Sequence, residues 1–359
     1  MADAPVLDAP ATVSLRSLVA NAGRLMERSG LPVLLVVLVL FFSTYSSTGA
    51  LFTSAANIQN IVANQSVTGL IALGMVIPLV AGYFDLSVAA VAGLSNVTVA
   101  SVIATHHQPI VVGLLCGVLI GVVAGGVNGL LVGLLRLNPF IATFGMYIII
   151  GGLLQLYTKG QTISNGMPAS LGNWSSGKWL GVARPFWLLI VMAVLAWYLL
   201  VQTPFGRKLA AIGSNESAAR LAGIRVDRAI IVMFMLSGLV AGLAGALLTV
   251  RSGSADATTA VSYLFPALAA VFLGQTSINP GHYNVWGTIL GVFLVAVAVN
   301  GFTLMGAESW ITQVFNGGAL LLSVAISSFM GRYRERKARD LVLRAARPDA
   351  AQSPSPVAV

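Results

Sequence analysis

Long apolar runs constrain this chain more than any other feature. A helix needs about 20 apolar residues to cross the ~30 Å hydrocarbon core of a bilayer, and the sequence contains ten runs of about that length. Charged residues make up only 9% of the chain, whereas a soluble domain carries about 25%. Most of the surface must therefore face lipid, and we predict an all-α, polytopic integral membrane protein. We place its ten spans at 31–50, 58–82, 86–105, 109–133, 138–158, 184–202, 229–250, 262–278, 283–305 and 309–330.

The second predicted span contains polar and helix-breaking residues. Asn64, Gln65 and Thr68 lie in its middle, and Pro78 lies near its end. Irregular backbone at membrane depth is tolerated only where it is covered by protein or lines a cavity. We therefore predict a broken helix here, packed against other spans rather than against lipid.

The distribution of basic residues predicts the orientation. Ten spans place both termini on one side, and 16 of the 20 Lys and Arg residues then fall on that side. Cytoplasmic loops of membrane proteins carry an excess of Lys and Arg, so both termini are predicted to be cytoplasmic. The minority on the other side consists of Lys159, Lys178, Arg184 and Arg251.

The chain divides into one membrane domain and two tails. We predict a cytoplasmic N-terminal tail at 1–30, with a short amphipathic helix over 14–28, and a transmembrane domain at 31–330. The basic tail at 331–359 is predicted to be disordered and cytoplasmic.

A short internal match indicates a repeat. Pro109 precedes an apolar helix that reaches Val127-Asn128-Gly129, and Pro280 precedes another that reaches Val299-Asn300-Gly301. The two helices are the fourth and ninth spans, and an offset of five spans inverts the direction across the membrane. The match predicts an inverted five-helix repeat, an arrangement whose interface often holds a transport path.

Constellations typical of enzymes do not occur in the sequence. His106, His107 and His282 lie at span ends without other ligands at metal-binding spacing. The phosphate-binding pattern GxxxxGK[ST] does not occur, and Cys116 is the one cysteine. The basic residues form no stripe interleaved with aromatic residues, which argues against nucleic-acid binding. We therefore predict no catalytic residue, no metal site and no cofactor bound by this chain.

Asp85 is the one acidic candidate for a place at membrane depth. Such residues are usually functional because burial of a charge in lipid is costly. The surrounding pattern also suits an N-cap of the third span, where the carboxylate would accept from free backbone amides. Both interpretations stay open. The scarcity of membrane acids favours a transporter driven from outside the bilayer over an ion-coupled carrier.

The longest predicted cytoplasmic loop, at 203–224, contains a short helix. Ser214 or Asn215 can cap it, Glu216 lies in its first turn, and Gly223 ends it. Its alanines permit close approach by a partner protein, although a plain connecting helix would carry the same pattern.

Three stretches resemble one transporter family. They are Gly82-Tyr83-Phe84-Asp85-Leu86-Ser87-Val88, then Val127-Asn128-Gly129 with Asn138-Pro139-Phe140-Ile141-Ala142-Thr143-Phe144-Gly145, and then Thr203-Pro204-Phe205-Gly206-Arg207 through Ile212-Gly213-Ser214-Asn215 and Ala218-Ala219. Together they are similar to the membrane subunits of ATP-binding-cassette (ABC) importers for ribose, xylose and related solutes. These subunits belong to the branched-chain amino acid and monosaccharide permease family. The sequence departs from the family pattern at Tyr83-Phe84, where a glycine and an aliphatic residue are commoner, and at Ala89.

The resemblance implies a role for the short cytoplasmic helix and for a path across the membrane. It implies that the helix docks on an ABC ATPase subunit, which holds the ATP and Mg²⁺. It also implies a dimer with a second permease copy or paralogue, a periplasmic or lipoprotein solute-binding protein, and residence in the bacterial inner membrane. The coupling residues would be Gly213, Asn215, Glu216, Ala218, Ala219 and Gly223. The candidate path residues are Asp85, Ser87, Asn128, Phe140, Thr143 and Asn300.

The function predicted from all these features is passage of a small polar solute, a monosaccharide or polyol, powered by a partner ATPase. Three alternatives stay open: a branched-chain amino acid or nucleoside importer subunit of the same architecture, an ion-coupled secondary carrier, and a receptor or scaffold. The sequence does not name the solute, because specificity in such importers is set largely by the binding protein.

Overall fold

A computed structural model describes residues 15–308, 310–325 and 329 of the chain, with side chains from residue 29 onward. The predicted disordered tail at 331–359 lies outside the described residues, as do residues 1–14.

The described part of the chain is almost entirely helical. The first half contains α1 (Leu15–Thr44), α2 (Gly49–Phe52), α3 (Ala55–Val80), α4 (Val88–Ala100), α5 (Ile110–Gly133), α6 (Pro139–Thr158) and α7 (Ala169–Ser176). The second half contains α8 (Arg184–Trp197), α9 (Pro204–Ser214), α10 (Glu216–Leu221), α11 (Val226–Ser252), α12 (Leu264–Gly274), α13 (Val285–Leu304) and α14 (Trp310–Ala325). Single π-helical turns extend α4 to Thr105 and α8 to Gln202, and a 3₁₀ turn over Ala260–Tyr263 precedes α12. One two-residue hairpin pairs β1 (Lys178–Trp179) with β2 (Val182–Ala183).

The predicted spans are confirmed as helices. Among the described residues, seven helices are long and apolar enough to cross a membrane, and three shorter apolar helices occupy the remaining predicted positions. Each predicted span overlaps one of these ten helices, with ends that differ by a few residues. The chain is therefore a multi-pass, all-α membrane protein.

Two local predictions are wrong. The backbone of α1 runs without a break from Leu15 to Thr44, so the short amphipathic helix expected over 14–28 is the first half of one long helix. The predicted break in the second span is also missing, since α3 is continuous from Ala55 to Val80. Pro78 lies in the last turn of α3, where interruption of the helix costs least. The prediction that α3 packs against protein holds, because its second half is buried.

One end of the molecule carries the basic loops, and we call it the basic face. The loop after α3 meets α9 there, because a Cβ placed on Gly213 would lie 2.5 Å from the carbonyl oxygen of Val80. The side chain of Arg220 in α10 contacts Asp227 at the start of α11, with 2.6 Å between Nη2 and Oδ1.

Other loops meet at the opposite face. Ile163 pairs through its backbone with Ala255, which follows α11. Gln59 near the start of α3 donates from Nε2 to the carbonyl oxygen of Gly181 at 2.8 Å. Since α3 begins and α11 ends at this face, the two helices cross the molecule in opposite directions.

Helix α11 lies at the centre of the fold and packs against α3, α4 and α5. Its contact with α5 is made by facing glycines. A Cβ on Gly125 would lie 2.2 Å from the carbonyl oxygen of Phe234, and one on Gly238 would lie 2.2 Å from that of Gly121. No side chain larger than hydrogen fits between these backbones, so the two helices are in direct main-chain contact.

The helix neighbours follow the predicted repeat. Helix α5 packs against α4 and α11, and α13, five spans later, packs against α12 and α3. Because α4 and α12 occupy corresponding positions, as do α11 and α3, an inverted repeat produces this pattern. The matched asparagines nevertheless have different partners, since Asn128 donates to Ser87 and Asn300 bonds with Asn57.

Candidate functional site

Four of the six candidate path residues meet in one buried polar cluster near the basic face. We call Asp85, Ser87, Asn128, Thr143 and Ser237 the Asp85 cluster, and each is at most 5% exposed. The residues come from the loop between α3 and α4, and from α5, α6 and α11. Gly82 starts the loop with φ +81°, a conformation that suits glycine.

Hydrogen bonds hold the carboxylate of Asp85 on both oxygens. The hydroxyl of Ser87 donates to Oδ1 at 2.6 Å and its backbone N–H donates to the same atom at 3.0 Å. The hydroxyl of Ser237 donates to Oδ2 at 3.1 Å.

The remaining members tie the loop to two more helices. Asn128 donates from Nδ2 to the hydroxyl oxygen of Ser87 at 2.7 Å. The backbone N–H of Leu86 donates to Thr143 Oγ1 at 3.2 Å. The cluster therefore fastens the 84–87 loop to α5, α6 and α11 at once.

The capping interpretation of Asp85 is wrong in its geometry. Helix α4 begins at Val88, and Ser87 occupies its N-cap position. Asp85 accepts from Ser87 itself and from a residue 152 positions away, rather than from the first free amides of α4. The motif builds a tertiary fastening where the local pattern had suggested a helix cap.

The other two candidate path residues lie apart from this cluster. Phe140 is 53% exposed on α6 and stacks on Phe144, with 6.1 Å between ring centroids. Asn300 exchanges hydrogen bonds of 2.9 and 3.0 Å with Asn57 and lies at the wall of a large cavity. Six residues expected along one path thus occupy three separate places.

That cavity has a volume of about 910 Å³ and lies between α3, α12, α13 and α14. Sequence reasoning assigned Asn300 to a path but missed the other amides in the wall: Asn60, Asn64, Gln65, Gln313 and Asn316. A signal existed in α3, because Asn60, Asn64 and Thr68 recur every four residues and so share one helix face. From the sequence alone, we instead interpret Asn64 and Thr68 as signs of a broken helix.

The short helix after α9 has the predicted cap. Asn215 occupies the N-cap position of α10, and its Oδ1 accepts from the backbone N–H of Ala218 at 3.0 Å. Glu216 lies in the first turn, and Gly223 follows the helix with φ +82°. The helix has six residues, from Glu216 to Leu221.

Five of the six predicted coupling residues are exposed, and Ala219 is buried. Gly213 belongs to α9 and faces the backbone of Val80 and Ala81, and Ala219 is only 4% exposed. Ala218 is exposed, and the neighbouring Leu221 is 91% exposed. Sequence reasoning missed Leu221, although a leucine at the end of an otherwise polar and small-residue helix was a visible signal.

A chain of side-chain contacts connects α10 to the loop that carries Asp85. The hydroxyl of Tyr83 donates to Glu216 Oε2 at 3.0 Å, and Arg220 bridges Glu216 and Asp227. Burial, together with the hydrogen bond to Glu216, raises the pKa of Tyr83 above its usual range, so the hydroxyl keeps its proton. Tyr83 is one of the three positions, with Phe84 and Ala89, at which the sequence departs from the family pattern, and it provides this link.

Residues 57–324 match the model of a family described as a branched-chain amino acid transport system permease component. The ribose import permease protein RbsC of Bacillus subtilis is 38% identical over 84% of this chain and 92% of its own length. RbsC of Escherichia coli K12 is 33% identical over 85% of this chain and 94% of its own length. The L-arabinose ABC transporter permease protein AraH of Azospirillum brasilense is 34% identical over 88% of this chain and 91% of its own length. No solved structure matches the chain.

The match covers the polar cluster, the cavity and α10 together, and it extends over nearly the whole length of the relatives. The chain therefore belongs to the branched-chain amino acid transport permease family.

Proposed function

We propose that this chain is the permease subunit of an ABC importer that carries a monosaccharide or polyol across the bacterial inner membrane. Relatives named for ribose and L-arabinose cover more than four fifths of the chain. The excess of Lys and Arg on one face supports cytoplasmic termini by the positive-inside rule. A solute-binding protein delivers the solute at the opposite face, and two permease copies or paralogues form the membrane unit.

Helix α10 docks on the ATPase subunit, which holds the ATP and Mg²⁺. The observation that carries this proposal is Leu221, an apolar side chain that is 91% exposed on the basic face next to exposed Ala218. The basic face lies outside the bilayer, so lipid does not cover this leucine, and a protein partner would remove it from water. Glu216 and Arg220 provide charged groups at the rim of the same surface.

The test compares two exposed leucines on opposite faces. Leu221→Asp should abolish co-purification of the ATPase from solubilised membranes and should abolish uptake, while expression and membrane insertion stay normal. Leu180 is 90% exposed at the opposite face, so Leu180→Asp should leave the ATPase bound. Ala218→Trp should act like Leu221→Asp, because overpacking of a close contact costs about 1–3 kcal/mol.

Retention of the ATPase and of uptake by both basic-face variants would reduce α10 to a connector. The energy source is tested separately. Uptake should follow cellular ATP and should continue when an uncoupler collapses the proton gradient. Loss of uptake under an uncoupler at constant ATP would support an ion-coupled carrier instead.

A further inference from the structure

The cavity between α3, α12, α13 and α14 has an unusual chemistry for a membrane domain. Its wall contains six side-chain amides and five hydroxyl groups, and none of the described residues that line it is charged. The amides are Asn60, Asn64, Gln65, Asn300, Gln313 and Asn316, and the hydroxyls belong to Thr68, Ser262, Tyr263, Thr303 and Thr312. Its volume of about 910 Å³ lies within the ~300–1,000 Å³ typical of small-molecule sites.

The position of the cavity suits a solute that arrives from the opposite face. Its wall follows α3 from Asn60 to Thr68, a rise of about 12 Å at 1.5 Å per residue. Beyond Thr68, α3 is buried as far as Leu79. The cavity therefore occupies the half of the membrane domain near the opposite face and is closed by packed protein toward the basic face.

The amides in the wall differ in what they already bind. Asn64 Nδ2 donates to Asn60 Oδ1 at 2.8 Å, and Asn300 is engaged with Asn57. Asn316 is only 6% exposed, and its Oδ1 has no hydrogen-bond partner within the described part of the chain. An amide oxygen so placed costs free energy unless a donor reaches it. That oxygen is itself closed off from the cavity, so the wall offers a solute its other amides, Gln65 and Gln313 among them.

The absence of charge from the lining selects between ligand classes. A zwitterionic amino acid brings an ammonium and a carboxylate, and burial of either without an opposite charge is expensive. A neutral polyhydroxyl compound needs mixed donors and acceptors, which side-chain amides provide in one group.

We propose that this cavity is a solute-binding site in the permease itself, selective for neutral polyhydroxyl compounds over amino acids. The inference rests on the proposed function and adds a selective step to it. The permease then discriminates between solutes even when the binding protein is left out.

Chemical protection tests binding by the chain alone. The purified full-length permease carries Cys116→Ser and Gln65→Cys, and a small charged thiol reagent labels it in lipid nanodiscs. Ribose or L-arabinose at high millimolar concentration should slow labelling at position 65 at least threefold, and leucine at the same concentration should not. Ser170→Cys, at the exposed start of α7, is the control. No solute should change its labelling rate. Equal protection by leucine, or no protection by any sugar, would overturn the inference.

Transport by the complete importer separates this inference from the proposed function. Gln65→Met removes the amide at similar volume and should raise the KM for sugar uptake about threefold to tenfold, the effect of losing one hydrogen bond. Gln155 is exposed on α6 outside the cavity, so Gln155→Met is the matched control. If the wild type imports sugar and Gln65→Met has the same KM as the wild type, the binding site is refuted but the proposed function is not. Failure of the wild type to import any sugar at the expense of ATP would refute the proposed function.

Discussion

The Asp85 cluster and the cavity are both polar regions inside a membrane domain, and they are built in opposite ways. In the cluster the groups satisfy one another: Asp85 accepts three hydrogen bonds and every member is almost fully buried. In the cavity the polar groups surround open volume. Polarity at membrane depth therefore has two uses here, as an internal fastening and as a wall.

The difference follows from the residue types and from the open space beside them. The cluster uses a carboxylate, and a carboxylate in a protein interior must have partners because its desolvation is costly. The cavity uses neutral amides, which tolerate contact with water or solute. A residue's place on a path is thus better judged from the open space beside it than from its charge.

The largest effect is expected at Asp85. Asp85→Ala leaves the hydroxyls of Ser87 and Ser237 without their acceptor, and we expect the free energy of unfolding to fall by at least about 2 kcal/mol. Asp85→Asn keeps one oxygen for Ser87 and should cost much less. Denaturant unfolding of the purified protein in detergent measures both losses. If Asp85→Ala is as stable as the wild type, the Asp85 cluster does not stabilise the fold.

A matched pair of asparagines sharpens the comparison. Asn128 and Asn316 are both buried and both have an Oδ1 without a partner in the described structure. Asn128→Leu breaks the bond to Ser87 and should lower stability by about 1–3 kcal/mol. Asn316→Leu removes a buried amide oxygen that has no partner in the described structure, so stability should not fall, and sugar uptake should weaken instead. Thermal unfolding and uptake, measured on both variants, should give opposite rankings. If the same variant is the more impaired in both assays, the Asp85 cluster and the cavity do not have separate roles.

The smallest effect is expected at the link between the cluster and α10. Tyr83→Phe removes one partly exposed hydrogen bond to Glu216, so stability should change by less than about 1 kcal/mol. If Tyr83 transmits motion from the ATPase to the 84–87 loop, the solute imported per ATP hydrolysed should fall while ATPase activity persists. Tyr45→Phe at the opposite face is the control. An unchanged ratio in Tyr83→Phe would show that the bond is passive.

The sequence predicted the spans well because hydropathy and length are local properties. The cap of α10 was also predicted, since Asn215 and Ala218 are three residues apart. The role of Asp85 was not, because its partner Ser237 lies 152 positions away and the local pattern imitates a cap. The cavity needed four helices to be placed side by side, which no window of the sequence shows. The continuity of α3 was missed because its amides suggested a break.

The glycine contact between α5 and α11 has a mechanical consequence. Two helices whose backbones touch at Gly121, Gly125 and Gly238 have no side-chain layer that could slide or re-pack between them. We expect them to move as one rigid pair. The 84–87 loop is hydrogen-bonded to this pair at Asn128 and Ser237. We therefore expect any alternation between the two faces to move α5 and α11 as one unit.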